Sequence, residues 1–176
     1  MSKRTDDLDE SDALLLAAWA EANLTPVTPP AELRARILGG LGGIERFRSV
    51  TEALRRFVDL GADAVAELLR KVDEPAAWST GLPGLPGIRY FHFSPGAAAN
   101  GAEAGFVRLE PGATFPHHRH LGPERTFVVE GVMHDGGRVY GPGSVLDSAA
   151  GTAHHYTAGP GRDLVIISLH NGIELA

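Results

Sequence analysis

The 176-residue chain contains no cysteine. That excludes disulfides, thiol catalysis, cysteine-ligated zinc and iron–sulfur clusters. Histidine is missing from everything before His92. Positive charge is in short supply: 16 Lys and Arg stand against 22 Asp and Glu, a net charge of -6, and the basic residues are scattered. No basic patch suits nucleic acid. No apolar run reaches the length that spans a bilayer. The opening Met-Ser-Lys-Arg runs straight into an acidic Thr-Asp-Asp-Leu-Asp-Glu stretch, which is no secretory signal. The expectation is a cytoplasmic protein with neither a nucleic-acid nor a membrane partner.

What is present changes character near residue 80. The expected division is a helical N-terminal region over 1–78, with a loose start and about four helices, and a second domain over 79–176. Leu14, Leu15, Ala18 and Trp19 fit a first helix behind Ser11-Asp12, and Leu33 and Ile37 share one face of a second over 31–38. A third helix is predicted over 44–60, with Ile44, Phe47, Leu54, Phe57 and Val58 in its stripe and Gly61 as its C-cap. A fourth, over 63–72, carries Val65, Leu68, Leu69 and Val72. The last two helices are free to pack on the second domain, to form a dimer interface or to hold another partner.

After residue 80 the pattern is glycine, proline and short apolar runs. Strands are predicted at 88–93, 104–109, 114–118, 124–129, 132–134, 138–140, 144–146, 154–156 and 164–169. Turn signals such as Asn100-Gly101, Asp135-Gly136-Gly137 and Gly141-Pro142-Gly143 separate them. Many short strands at close spacing read as a β-sandwich or barrel, and the length suits one small barrel.

The most informative stretch runs from Gly112 to Gly131. Side chains alternate across a strand, so His118 and His120 share a face. Glu124 returns toward them if the chain folds over at Gly122-Pro123. Imidazole and carboxylate together suit a divalent transition metal. His117 alternates away from this pair. His92 and His134 show no partner, His170 sits at a strand end, and Glu130 and Asp135 are expected to be solvated. Arg89 and Arg108 are candidates for anion anchors inside the barrel, with solvated outward faces the favoured placement.

Gly112, His118, His120, Glu124 and Gly131 match every spaced position of the first cupin motif, and the chain resembles that superfamily. Its second motif has its counterpart in Gly143, Ala149-Ala150-Gly151 and His154, with Ala149 in place of the usual proline and Ala158 in place of the usual asparagine. The resemblance implies a mainly β fold, a double-stranded β-helix (jelly-roll) barrel, with one divalent metal held by His118, His120, Glu124 and His154. His155 would then face the other side of its strand. Zinc is the first choice of metal, with iron, manganese, nickel and copper as alternatives. Four converging polar side chains are costly to bury without a bound cation, which agrees with this set.

The segment from Pro111 to Leu146, followed by Gly151-Thr-Ala-His-His155, resembles more narrowly the cupin half of ChrR-type anti-sigma factors. The Pro26-to-Leu38 stretch resembles the linker and helix that follow their sigma-binding domain. That domain carries a His-x-x-x-Cys-x-x-Cys zinc motif, and this chain has no counterpart of it. The resemblance implies a regulatory or stress-sensing role, a sigma factor or other regulatory protein as partner, a small-molecule ligand in the barrel and a homodimer. The alternative is a metal-dependent cupin enzyme, a dioxygenase, isomerase or hydrolase acting on a small molecule. Whether Phe106, Phe115, Phe127 and Tyr156 plug the barrel mouth separates these readings.

Overall fold

The computed structural model describes Trp19 and residues 44–79, 84–99 and 101–175. The chain divides into two compact units, Met1–Leu38 and Gly39–Ala176, and the second is described below. The first two expected helices, Trp19 apart, lie outside the described residues. Among those residues no helix is long and apolar enough to cross a membrane.

A short 3-10 turn, Ile44–Phe47, leads into helix α1, Arg48–Val58, and then α2, Ala62–Lys71. The predicted Gly61 cap is displaced. Asp59 takes the left-handed conformation that ends α1, with φ 55° and ψ 49°. Its carboxylate accepts the N–H of Ala98, 39 residues further along the chain, at 2.9 Å, a bond that helps to hold the left-handed backbone. Gly61 begins α2 instead, in an extended conformation.

Among the described residues ten strands follow: β1 Ile88–Phe93, β2 Glu103–Leu109, β3 Thr114–His120, β4 Glu124–Glu130, β5 Met133–Asp135, β6 Arg138–Tyr140, β7 Val145–Ser148, β8 Ala153–Ala158, β9 Leu164–His170 and β10 Ile173–Leu175. They form two antiparallel five-stranded sheets, ordered β1-β2-β9-β4-β7 and β10-β3-β8-β5-β6. The expected mainly β jelly-roll barrel is present. The sequence reading missed β10, three residues that pair with His118–His120 of β3.

The two sheets share an inner core. Ile88, Leu109, Val128, Leu164 and Ile166 from the first sheet meet Phe115, Met133, Tyr156 and Ala158 from the second. Strand β9 is buried along both faces. Its Leu164 and Ile166 point inward, while Val165, Ile167 and Leu169 join an outer core. That outer core contains Val50, Leu54, Phe57 and Val58 of α1 and Val65, Leu68 and Leu69 of α2. The two helices thus pack on the outer face of the first sheet. Phe57 meets Phe127 with ring centroids 5.2 Å apart.

Phe106 and Phe127 belong to this outer layer, so they do not plug the barrel. Arg108 also lies on the outside: it donates to the Val72 carbonyl at 2.7 Å and stacks over Trp78. Arg89 is exposed. Neither arginine is an anchor inside the barrel.

Two glycines fix the loops that carry the motif. Gly131 has φ +81°, and a Cβ there would stand 2.3 Å from the Asp163 carbonyl oxygen. At Gly122 a Cβ would stand 2.5 Å from Cβ of Asn171. The β3–β4 turn therefore lies tight against the β9–β10 turn, where Leu121 N–H bonds to Gly172 and Asn171 N–H to Pro123.

If the helices are part of the barrel's core, truncating Leu54, which is fully buried, destabilises the whole unit. Leu54→Ala should cost about 2–5 kcal/mol in denaturant unfolding and lower a single cooperative midpoint. A loss near zero, or separate transitions for helix and sheet signals, would contradict the packing.

Candidate metal centre

The site is built on three strands, two from one sheet and one from the other. His118 and His120 come from β3, His154 from β8 and Glu124 from β4. His118 lies directly opposite His154 in the β3–β8 ladder. The register of that ladder shifts between Phe115 and His118. Pro116, which has no N–H to give the ladder, sits in this bulge. The extra residue lets Phe115 face the interior on the same side as His118 and His120. All three are buried, while His117 and Arg119 are exposed. His155 is exposed as well, as expected from its place beside His154.

The ligand nitrogens of His118, His120 and His154 all lie within 4.8 Å of one another. Each ring is held at Nδ1 by an acceptor. His118 Nδ1 lies 3.0 Å from the Pro116 carbonyl oxygen. His154 Nδ1 lies 2.7 Å from a carboxylate oxygen of Asp135. His120 Nδ1 lies 2.9 Å from the Thr152 hydroxyl, whose own proton goes to the Ala149 carbonyl at 2.6 Å. A carbonyl, a carboxylate and a hydroxyl with its proton already committed can only accept here. Each Nδ1 therefore carries the proton, and each Nε2 presents a bare lone pair when the ring is neutral.

Those lone pairs converge. The Nε2 atoms of His118 and His154 are 3.1 Å apart. His120 Nε2 is buried without a hydrogen-bond partner. It faces Oε2 of Glu124 at 3.4 Å. The other oxygen of Glu124, Oε1, accepts from Thr126 at 3.0 Å and from Ser168 at 3.1 Å. Both hydroxyls thus hold one carboxylate oxygen and leave the second turned toward His120.

Burial disfavours protonation of two of the three rings. Burial lowers the pKa of His118, reinforced by neighbouring His154 and opposed by its bond to Pro116. Burial also lowers that of His120, against the pull of Glu124. Tyr156, buried above the rings, has its phenol pushed well up, first by burial and then by Glu124 and Asp135. A dication answers the arrangement: it accepts imidazole lone pairs and offsets a carboxylate in one step. The residues present fit such an ion.

Sequence reasoning brought the three histidines and Glu124 into one neighbourhood, and the structure places them there. It missed the groups that orient them. Asp135, expected to be solvated, is instead largely enclosed on β5 and bonded to His154. Glu130 is likewise paired, with Arg46 and Arg162. Thr126 carried a usable signal, since it lies two residues from Glu124 on the same strand face. Thr152, Ser168 and the Pro116 carbonyl carried none, because their roles depend on strand pairing. His92 and His134 are exposed and outside the cluster.

A two-sheet jelly-roll with three histidines converging from paired strands defines a cupin-type barrel. The family model described as "ChrR Cupin-like domain" matches residues 71–174, more than half of the chain. The chain belongs to the ChrR cupin-like family. No curated protein matches it. Among solved structures it resembles the Rhodobacter sphaeroides complex of SigE with the anti-sigma ChrR, at 21% identity and a TM-score of 0.54. That match covers 91% of this chain and 76% of the other. An acetylacetone dioxygenase from Acinetobacter johnsonii matches at 16% identity over 58% of this chain and 73% of its own, TM-score 0.48. The polyketide cyclase RemF from Streptomyces resistomycificus matches at 20% over 53% and 73%, TM-score 0.42. At these identities the likeness shows the fold alone.

Asp135→Asn keeps the shape but removes the charge that fixes the His154 tautomer. Metal affinity measured by chelator competition should fall by about 10–100-fold; unchanged affinity would refute the orienting role. The lowered histidine pKa values set a pH dependence for the metal-free protein. Below the ordinary histidine value of 6.5, the unfolded chain takes up protons that the folded one refuses. Stability is then complete above that pH and declines as pH falls below it. Urea midpoints of metal-free protein should drop between pH 7.5 and 5.5, and drop less in His118→Gln. An equal drop in the variant would contradict the assignment.

Proposed function

We propose that this protein is a metal-binding regulatory module, in which a divalent ion held by His118, His120, Glu124 and His154 fixes the state of the barrel. The observation that carries this reading is the acceptor-only convergence at the four residues, with Nδ1 of each ring and Oε1 of Glu124 already engaged. Four protein ligands suit zinc, which we assign first; iron, manganese, nickel and copper accept the same donors. When bound, the ion supplies a positive centre and cross-links β3, β4 and β8.

Membership of the ChrR cupin-like family supports a regulatory role, and one solved structure that the chain resembles is a sigma factor in complex with the anti-sigma ChrR. A sigma factor or another regulatory protein is therefore the proposed partner, engaged without a cysteine zinc motif. We also propose a cytoplasmic homodimer. Its support is that Val139, Val145 and Leu175 are exposed apolar residues on β6, β7 and β10, each an edge strand. A metal-dependent enzyme is the second reading, favoured by a cavity of about 260 Å³ beside the site.

Two measurements separate these readings. Purified protein should hold one metal ion per chain by elemental analysis, and His120→Ala should lose both the metal and the stability that binding confers by mass action. A pull-down against the sigma factors of the source cell should capture one of them, with capture altered on metal removal. Stoichiometric metal with no capture and turnover of a small molecule would favour the enzyme.

A further inference from the structure

We infer that Thr126 and Ser168 are metal-selecting residues, which limit the Glu124 carboxylate to a single metal bond. The inference rests on the metal assignment proposed above and deepens it.

The two hydroxyls stand side by side on neighbouring strands. Thr126 of β4 and Ser168 of β9 are direct partners in the antiparallel ladder, so they share one face of the sheet. Glu124 is two residues before Thr126 and lies on that same face. The next pair along the face, Val128 and Ile166, is apolar and fully buried. Thr126 and Ser168 are buried as well. A buried hydroxyl costs free energy unless it is hydrogen-bonded. Both meet that cost at one atom: Oε1 of Glu124 accepts from Thr126 at 3.0 Å and from Ser168 at 3.1 Å.

The count of lone pairs carries the inference. A carboxylate oxygen has two lone-pair sites, and on Oε1 each takes a hydroxyl proton. An ion that chelates a carboxylate needs a lone pair from both oxygens, and Oε1 has none to give. Oε2 keeps its own and faces His120 Nε2 at 3.4 Å. Glu124 is thus presented as a one-oxygen ligand. With three imidazole nitrogens, the protein supplies four donors. Four suits zinc, whose protein sites are commonly tetrahedral. Manganese favours six ligands and oxygen donors, and a chelating carboxylate is a step toward both. Two hydroxyls that block chelation therefore tilt the centre toward zinc and against manganese.

Zinc content of the full chain is measured first; a folded chain that takes up no zinc would overturn the metal assignment itself. In the zinc-binding chain, chelator competition then gives the affinities for zinc and for manganese. Thr126→Val combined with Ser168→Ala frees Oε1 and should lower the zinc-to-manganese affinity ratio at least about tenfold. Thr126→Ser keeps a donor and should keep the original ratio. The unaltered chain loaded with cobalt should show the intense visible bands of a four-coordinate ion, and the double variant the weaker bands of a higher coordination number. If the double variant fails to fold, Ser168→Ala alone frees one lone pair and is read in the same two ways. Residues that serve stability alone would, when replaced, weaken zinc and manganese equally and leave the cobalt bands in place. That result, an unchanged ratio with stoichiometric zinc, or weak cobalt bands in the unaltered chain would each overturn the inference.

Discussion

Two bare nitrogen lone pairs, on His118 and His154, face each other across 3.1 Å inside the barrel. Much of the surrounding structure serves to produce that opposition. The bulge at Pro116 turns His118 inward and offers its own carbonyl to the ring. Asp135 does the same for His154 from the neighbouring strand, and Thr152 for His120. A histidine free to rotate or to change tautomer would relieve the repulsion by making a hydrogen bond. Here each ring is pinned at the opposite nitrogen, so an added positive charge is what the geometry accepts. Placing a proton there is disfavoured for His118 and His120 by burial, and a metal ion fits the converging donors.

The frame that holds this cluster is more than a barrel. The inner core alone lines the space between two sheets, and one of those sheets has a second apolar face. Phe127 and Val129 of β4 and Val165, Ile167 and Leu169 of β9 would be exposed without α1 and α2. Covering them joins the helices to the strand that carries Glu124. A change at the histidine cluster and a change on the helical layer are therefore mechanically close, separated by the thickness of one strand.

Much of this was legible in the chain, for identifiable reasons. Period-two alternation put His118 and His120 on one face, and helical spacing gave the stripes of α1 and α2. The apolar run Leu164–Ile167 carried a further sign, since a strand buried on both faces needs a layer on each. Other features were hidden because they depend on pairing across the sheet. Asp135 read as solvated in an Asp-Gly-Gly turn until β5 is set against β8. The Ile173-Glu174-Leu175 strand is too short to show a pattern and exists through its ladder with β3. Gly61 looked like a cap because glycine accepts the left-handed conformation, yet Asp59 adopted it with help from Ala98. Gly131 was legible as a motif position, but the reason for it, the Asp163 carbonyl oxygen standing where a Cβ would go, was not.

The central claim is that one metal ion occupies the meeting point of four named atoms. Anomalous diffraction from crystals of the protein as purified, recorded at the absorption edges of first-row metals, tests it most directly. The account predicts a single peak bonded to Nε2 of His118, His120 and His154 and to Oε2 of Glu124, with every Nδ1 still bound to its present acceptor. A well-ordered site without a peak, or a metal bound through Nδ1 after the rings have turned, would contradict it.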